Sequence, residues 1–438
     1  MQDSAPPTTT EPQAPPQKSN RAALLIVFLV VFIDLLGFGI VLPLLPRFGD
    51  DLLHHLIPGG KDAPIGGLIL GLLMSSFSLM QFLFAPVWGR LSDRHGRRPI
   101  LLVGLTGSVV FYTLFGVALG LSGTNPSLAL TLIFVSRVGA GIAGATIGTA
   151  QAVIADSTPP QHRKHGMALI GAAFGIGFTF GPLIGFAALQ WFPQMLGAVG
   201  YVAAGLSLAA LMLALARLPE TRQPGGPSAE RRLFNWGAVR SVLRAPSVGT
   251  LVLIFFLATF GFGAFEATLA LLNRDLLQFP DTDNFLVFAY VGFVLLFTQG
   301  YLYRKLARRM NEVTLLTIGI VLMGVGVATL GGAASAGAAG CSRELLLPWV
   351  FVSLAVSVMG FAFLTPSVQA LVSRRSDPER QGEVLGVNQS AAALARILGP
   401  VIGLGLYKLE GSHLLPYAFG AVLLLLMLPL IPRIRRGV

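Results

Sequence analysis

Residues Gly89 to Arg98 read GRLSDRHGRR, directly after an apolar run that ends APVW. Arg90, Arg94, Arg97 and Arg98 share this stretch with one acid, Asp93, and with Gly89 and Gly96. Positive charge alone accounts for a short loop held on the cytoplasmic side between two membrane-length segments. It does not account for the glycines or the aspartate. Gly89 permits close approach of a neighbouring helix, and Asp93 at a helix end is placed to meet a facing helix N-terminus or an arginine. The stretch therefore predicts membrane helices fastened together at their ends.

Composition agrees. A chain of 438 residues has room for two or three soluble domains. Yet 54% of its residues are hydrophobic, 12% are charged, and its mean hydropathy is +0.73; these values belong to a protein that crosses the membrane many times. The single cysteine, Cys341, excludes an intramolecular disulfide framework and a cysteine-based metal cluster. A net charge of +11 raises the question of nucleic acid, which the placement of the charges answers below. Residues 1–20, rich in Pro, Gln and Thr, read as a disordered cytoplasmic tail. The apolar segment after Arg21 is too long for a signal peptide and has no small-residue cleavage site.

Runs near or above the roughly 20 residues that span a bilayer recur along the whole chain. They fall at 22–45, 66–88, 99–121, 127–155, 165–190 and 194–216, then at 247–272, 284–303, 313–333, 346–372, 383–407 and 413–432. Pro219 to Pro246 is the longest polar connection and carries Pro224, Gly225, Gly226 and Pro227; it reads as a linker between halves. The expected organisation is a tail at 1–21, a six-helix bundle at 22–217, a linker at 218–246, a second bundle at 247–432 and a tail at 433–438. With the N-terminus cytoplasmic, only Arg47, Lys61, Arg274, Arg343 and Lys408 of the 31 Lys and Arg residues fall in outer loops. Arg137 and Arg396 lie within helices, and the remaining 24 are inside. That asymmetry is the positive-inside pattern, with both termini cytoplasmic. It explains the basic charge without nucleic acid.

The halves repeat one another. GYLYRKLARR, Gly300 to Arg309, follows helix 8 where GRLSDRHGRR follows helix 2. Gly181-Pro182-Leu-Ile-Gly185 on helix 5 returns as Gly399-Pro400-Val-Ile-Gly403 on helix 11. The fold expected is all-α: twelve transmembrane helices as two six-helix repeats in the same orientation.

The first-half stretch resembles the G-x-L-x-D-R-x-G-R-[RK] signature of the major facilitator superfamily. Four more segments are similar to its drug:proton antiporter branch, which includes the tetracycline/proton antiporters. Helix 1 reads FIDLLGFGIVLPLLP, with Asp34, Gly37, Gly39, Pro43 and Pro46 in that branch's spacing. Helix 4 reads SRVGAGIAGATIG, matching through Arg137, Gly141 and Gly144, and continues as IADSTPPQHRKHG, where Asp156, Arg163 and Gly166 match. Helix 5 supplies the antiporter signature through Gly171, Gly175, Gly177, Gly181, Pro182 and Gly185. LPET, Leu218 to Thr221, closes helix 6. Phe186 departs from the signature's final glycine, and Phe111 stands where the tetracycline transporters carry an acid in helix 3. Helix 9 has no acid either. The resemblance implies alternating access around a solute site between the halves, with tetracycline itself in question. It also implies a conformational latch built from Gly89, Asp93, Arg94, Gly96, Arg97 and Asp156.

Four charged residues lie deep inside the spans. Asp34 is about 12 residues into helix 1, roughly 18 Å along it. At that depth a carboxylate faces the bundle interior or a wet cavity, as a proton acceptor or as a structural hydrogen-bonding group. Glu266 on helix 7, amid Phe255, Phe256, Phe260, Phe262 and Phe265, suits an amphipathic cation, a proton, or a gate near the outer end. Arg137 needs a partner, since an unpaired buried charge is expensive; Asp34 or a water-filled cavity is the candidate. The resemblance links this arginine to proton movement, the alternative being a fixed counter-ion. Arg396 stands in a similar place on helix 11.

The helix 5 glycines, spaced for one face and interrupted by Pro182, predict close backbone contact with a helix of the other half. Gln151, Gln369, Asn388 and Gln389 are polar groups in apolar runs, as cavity lining or interhelical hydrogen bonds. No G-x-x-x-x-G-K-[ST] loop signals ATP use. The histidines, His54, His55, His95, His162, His165 and His413, read as loop residues and suggest no metal site. No catalytic set is visible. The expectation is a monomeric multi-pass protein of the cell membrane, not an enzyme and without a cofactor. It would exchange a hydrophobic or cationic small molecule for protons, or alternatively import a metabolite with protons; a non-transporting scaffold or sensor is the reading of another class.

Overall fold

Hydrocarbon offers no partner to a backbone N–H or C=O, so a chain segment inside it must satisfy both internally. Every element described is accordingly helical. The structure is a computed structural model and describes residues 21–57, 64–158, 163–222, 236–376 and 381–435. The expected N-terminal tail, the Pro224–Pro227 segment of the linker, Lys61 and His162 lie outside the described residues.

The first half comprises α1 (Arg21–Val41), α2 (Leu45–Leu56), α3 (Pro64–His95), α4 (Arg97–Gly120), α5 (Pro126–Ala143), α6 (Ile147–Asp156), α7 (Arg163–Trp191) and α8 (Ala198–Arg217). A short α9 (Trp236–Arg244) leads into the second half. That half comprises α10 (Pro246–Leu277), α11 (Asp281–Phe297), α12 (Arg304–Leu306), α13 (Glu312–Ala338), α14 (Arg343–Arg375), α15 (Gln381–Tyr407), α16 (Leu415–Leu425) and α17 (Ile431–Arg435). Among the described residues, eleven helical stretches are long and apolar enough to cross a membrane. The 29-residue α7, packed along α1 and α11, completes the expected twelve.

Three boundaries differ from the sequence reading. The first span stops at Val41, and α2 begins at Leu45 as a separate amphipathic helix whose Leu45, Phe48, Leu52 and Leu53 are buried. Pro43 and Pro46 sit at that break, where a missing N–H and a fixed φ disfavour a continuous helix. The fourth span is interrupted by a 3₁₀ turn at Gly144–Thr146. Most telling, the Gly89–Arg98 stretch is not a loop. α3 continues through Arg94 and His95, and a single residue, Gly96, separates it from α4. Nothing between Gly89 and His95 forbids a helix, whereas Gly96 at φ 104° takes a conformation that a side chain disfavours. His54 and His55 likewise lie on α2 rather than in a loop.

Helices pack closely where glycine removes the side chain between them. Gly200 and Gly116 bring α8 against α4, and Gly319 and Gly360 bring α13 against α14. The halves meet along two seams, α3 on α15 and α7 on α11. The molecule has a basic face, where α3 passes into α4, and an opposite face formed by α2, the end of α10 and the start of α11.

Candidate functional site

The α3–α15 seam is built on small residues four apart. A Cβ on Gly67 would meet the Leu404 carbonyl, and one on Gly71 would meet the Val401 backbone and the Pro400 carbonyl. Ser75 Oγ then donates to the Ile397 carbonyl at 2.5 Å. On the other seam, the Phe285 ring fills the space over Gly185, and Gly292 lies against the Phe178–Thr179 backbone.

Ions tie the halves together at the opposite face. Arg274 of α10 reaches Asp50 of α2 at 2.5 Å and Asp51 at 3.2 Å, while it also holds Asp275 at 3.0 Å. Lys408 reaches Asp50 at 2.6 Å. The Asp50 side chain is 2% exposed and that of Lys408 5%, so this pair is shielded from solvent. Arg47 of α2 pairs with Asp281 of α11 at 3.0 Å and donates to the Phe279 carbonyl. Asn284, fully buried, donates to the Pro43 carbonyl. Four of the five cations expected in outer loops thus gather on one face, three of them in pairs that bridge the halves.

At the basic face the same helices part. Helical period places Gly386, Gln389, Ser390 and Arg396 on the face of α15 that also carries Ile397, Val401 and Leu404. The last three meet α3, whereas the first four are exposed. The apolar Leu394, Leu398 and Ile402 occupy a separate exposed stripe, suited to lipid. A polar stripe exposed within a membrane-spanning helix, on its inter-half face, marks a space between the halves open toward the basic face. Gln151 of α6 and Gln369 of α14 are also exposed. Asn388 instead is 1% exposed, and neither of its amide atoms has a hydrogen-bond partner among the described residues.

Of the charged residues inside the spans, those with described side chains, Arg137, Glu266 and Arg396, form no ion pair with one another. Arg137 is 2% exposed; its guanidinium lies 4.7 Å from the Phe77 ring centre and 5.7 Å from that of Phe38. Its expected partner, Asp34, falls on α1, but its side chain lies outside what the structure describes. The rings face the cation with their negative quadrupole, and Arg137 Nε is left without a hydrogen bond. Glu266 Oε1 is also buried without a hydrogen bond. Glu266 and Arg396 form no ion pair. Of the surrounding rings, Phe255, Phe260, Phe262 and Phe265 are buried core. Phe262 stacks on Phe361 with centroids 4.1 Å apart. They pack the bundle rather than cage a cation. Phe111, where the resembling transporters carry an acid, sets its ring against Gly139 of α5.

The latch residues form a cluster within the first half. Arg97 pairs with Asp93 at 2.5 Å and with Asp156 at 3.3 Å, joining α3, α4 and α6. Asp93 therefore answers an arginine of its own stretch and not a facing helix N-terminus. Among the described residues nothing lies within 4 Å of the position a Gly89 side chain would take, so the close helix approach expected there is not seen. Arg94 accepts at its carbonyl from the Arg222 side chain. Glu220, in the segment after α8, completes the cluster. Its carboxylate accepts the backbone N–H groups of Arg97 and Arg98 at 2.9 and 3.1 Å, and also those of Thr221 and Arg222. Partial burial pushes its carboxyl up, but these four N–H donors outweigh it and hold the group below its ordinary range. A carboxylate on the first N–H groups of α4 also suits the helix dipole.

The α7 glycines divide between two neighbours. Gly177 and Gly181 lie on the backbone of α1, against Leu35, Leu36 and Gly39, within the same half. Gly175 and Gly185 face Leu296 and Phe285 of the other half. The expected contact across halves holds for only part of the motif, and α7 passes through Pro182 as one helix. Gly171 lies on the same helix, toward the basic face.

Sequence reading missed Glu220 and the ion network of the opposite face. Glu220 stands in the sequence only as the third residue of the LPET helix ending, and the network joins residues more than 200 positions apart, such as Asp50 and Arg274. The Gly67, Gly71, Ser75 spacing was a signal for the seam. Among the described residues no group of three or more metal-ligating side chains is found.

Residues 27–400 and 306–437 match the Major Facilitator Superfamily. Mouse major facilitator superfamily domain-containing protein 10 is 29% identical over 450 residues, covering 93% of this chain and 91% of the relative. The class C tetracycline resistance protein of Escherichia coli is 29% identical over 428 residues, covering 96% and 98%. The crystal structure of the human organic anion transporter MFSD10 superposes with a TM-score of 0.65 at 27% identity, over 95% of this chain and 100% of that one.

Proposed function

This chain belongs to the Major Facilitator Superfamily, and from that premise we propose that it exports a small hydrophobic or cationic solute in exchange for protons. It is an integral, multi-pass membrane transporter. One observation carries the mechanism: the halves are locked at one face while the inter-half face of α15 stands exposed toward the other. That arrangement is one end state of alternating access. By the charge asymmetry the basic face is cytoplasmic, in the cell membrane, so this state takes up solute from inside. Solute binding and proton exchange would bias the equilibrium toward the state in which the Arg274–Asp50 lock has opened.

The proton reading rests on Glu266 and Asp34, two carboxyl groups carried within the spans. A buried carboxylate without partners is costly and gains from protonation; Glu266 Oε1 is in that position. Arg137, held against Phe38 and Phe77, supplies a fixed positive charge on the first-half side. The drug reading is supported by the tetracycline resistance relatives. A second reading has its own observation: Arg396 is exposed in the inter-half space, where it would attract an anionic solute. The solved organic anion transporter favours the same class.

The test uses purified protein in liposomes with an imposed pH gradient and a pH-sensitive dye inside. A lipophilic cation, an organic anion and tetracycline are added in turn, with Asp34→Asn and Glu266→Gln alongside. Proton efflux on adding the cation, lost in either variant, is the expected result. Proton flow in the same direction as the solute would establish symport and overturn the exchange mechanism. Response to the anion alone would replace the cation.

A further inference from the structure

Among the described residues, the non-glycine positions with left-handed backbone are Gln278 and His413, each at φ 53°. Both line one cavity of about 340 Å³ on the opposite face of the second half. Left-handed backbone outside glycine costs on the order of 1–3 kcal/mol and gathers at ligand-clamping sites. Here the surroundings hold it in place. The His413 ring stacks on Tyr407 with centroids 4.0 Å apart, and its Nδ1 lies 3.0 Å from the Tyr407 carbonyl.

The cavity has an apolar wall, with Leu272 and Leu276 from α10 and Leu346 from α14. It also has two opposite charges, Asp275 and Arg343, that do not pair with each other. Asp275 is oriented by Arg274 at 3.0 Å and by the Tyr407 hydroxyl, which donates to it at 3.0 Å, and His413 Nε2 lies 3.8 Å from the same carboxylate. Arg343 has its guanidinium 5.5 Å from the centre of the Phe279 ring, and no carboxylate lies within ion-pair reach among the described residues. An acid and an arginine face the same space across an apolar floor, with the Gln278 amide and the His413 ring as further polar groups. The volume is at the lower end of the range of about 300–1,000 Å³ for small-molecule sites.

We propose that this cavity is a binding site for a small zwitterion with an apolar body, its ammonium group meeting Asp275 and its carboxylate meeting Arg343. The site is built by α10, α13, α14 and the segment before α16, so it belongs to the second half alone and lies apart from the space between the halves. It does not depend on the identity of the transported solute.

Cys341 lines the same cavity and is the only cysteine of the chain. Its rate of modification by methyl methanethiosulfonate therefore reports occupancy directly. The full chain is reconstituted in phosphatidylcholine nanodiscs and challenged with L-phenylalanine, phenylacetate or phenethylamine at matched millimolar concentration. Phenylalanine is expected to slow modification several-fold, with much weaker effects of the two singly charged compounds. Arg343→Gln, at an exposed position, is expected to abolish that protection while the unprotected rate and the thermal stability stay unchanged. Equal protection by phenethylamine, retained protection in Arg343→Gln, or no protection by phenylalanine would each overturn the proposal. No step of this readout requires transport, so its failure is distinct from failure of the solute/proton reading.

Discussion

Glu266 and Glu220 are two carboxylates of one chain in opposite surroundings. Glu266 has a buried oxygen with no hydrogen bond, so Glu266→Gln should leave the fold intact and remove proton-linked transport, by about tenfold or more. The check is dye-reported proton flux beside solute binding to the same preparation; unchanged flux would remove Glu266 from the proton path. Glu220 is satisfied by four backbone N–H groups, and its folded carboxyl lies below the ordinary value of 4.5. The sign follows from that depression. Its stabilising contribution is complete above the unfolded value and is lost as pH falls through the folded one. Melting temperature should therefore drop more steeply with acidification below about pH 4.5 in the native chain than in Glu220→Gln. Gly96 is required for a different reason, its φ of 104°. Gly96→Ala should cost about 1–2 kcal/mol of stability, because a Cβ opposes left-handed backbone, and its Cβ would also crowd Glu220.

Among the elements, α3 and α15 matter most, because their contact changes along its length. From Gly67 to Ser75 the helices touch backbone to backbone; beyond Arg396 toward the basic face, α15 is exposed. A side chain at Gly71 must collide with the Val401 backbone, which cannot move aside as a flexible side chain would. Gly71→Leu is thus expected to prevent closure of the opposite face and to stop turnover, with binding retained. Spin-label distances between α2 and α10 provide the measurement, and a native-like distance distribution would sink the assignment of this seam. α7 plays two parts: Gly177 and Gly181 fix it to α1, and Gly175 and Gly185 present it to α11. The glycine spacing was plain in the sequence. Which glycine met which neighbour was not, because residues four apart share one face of a helix and every face of a bundled helix has a candidate partner.

For the molecule as a whole, the conformation rests on the Asp50, Arg274 and Lys408 network. Removing one partner of a buried ion group leaves an uncompensated charge, at about 3–5 kcal/mol. Asp50→Asn should accordingly shift the population toward opening at this face, read as longer distances between α2 and α10. High salt should affect this little, because screening is weak for buried pairs and Asp50 is 2% exposed. A shift that appears in the native chain on raising salt alone would contradict the buried character of the lock.

The sequence by itself determined the fold class, the count of spans, the duplication and the sidedness of charge. Each follows from local properties: the length of an apolar run, the position of a glycine or proline, the side on which arginine accumulates. It also singled out Gly89–Arg98, though it read as a loop what is helix as far as His95; helix and loop differ there in one residue, Gly96. Only the tertiary structure decided that Arg137 rests on Phe77 and Phe38, that Arg97 joins Asp93 to Asp156, and that Glu220 caps α4. It alone showed which face is closed, because Asp50, Arg274 and Lys408 are brought together from distant parts of the chain. Burial and ion pairing depend on which surfaces meet, and that is a property of one packing of the halves. No stretch of the chain contains it.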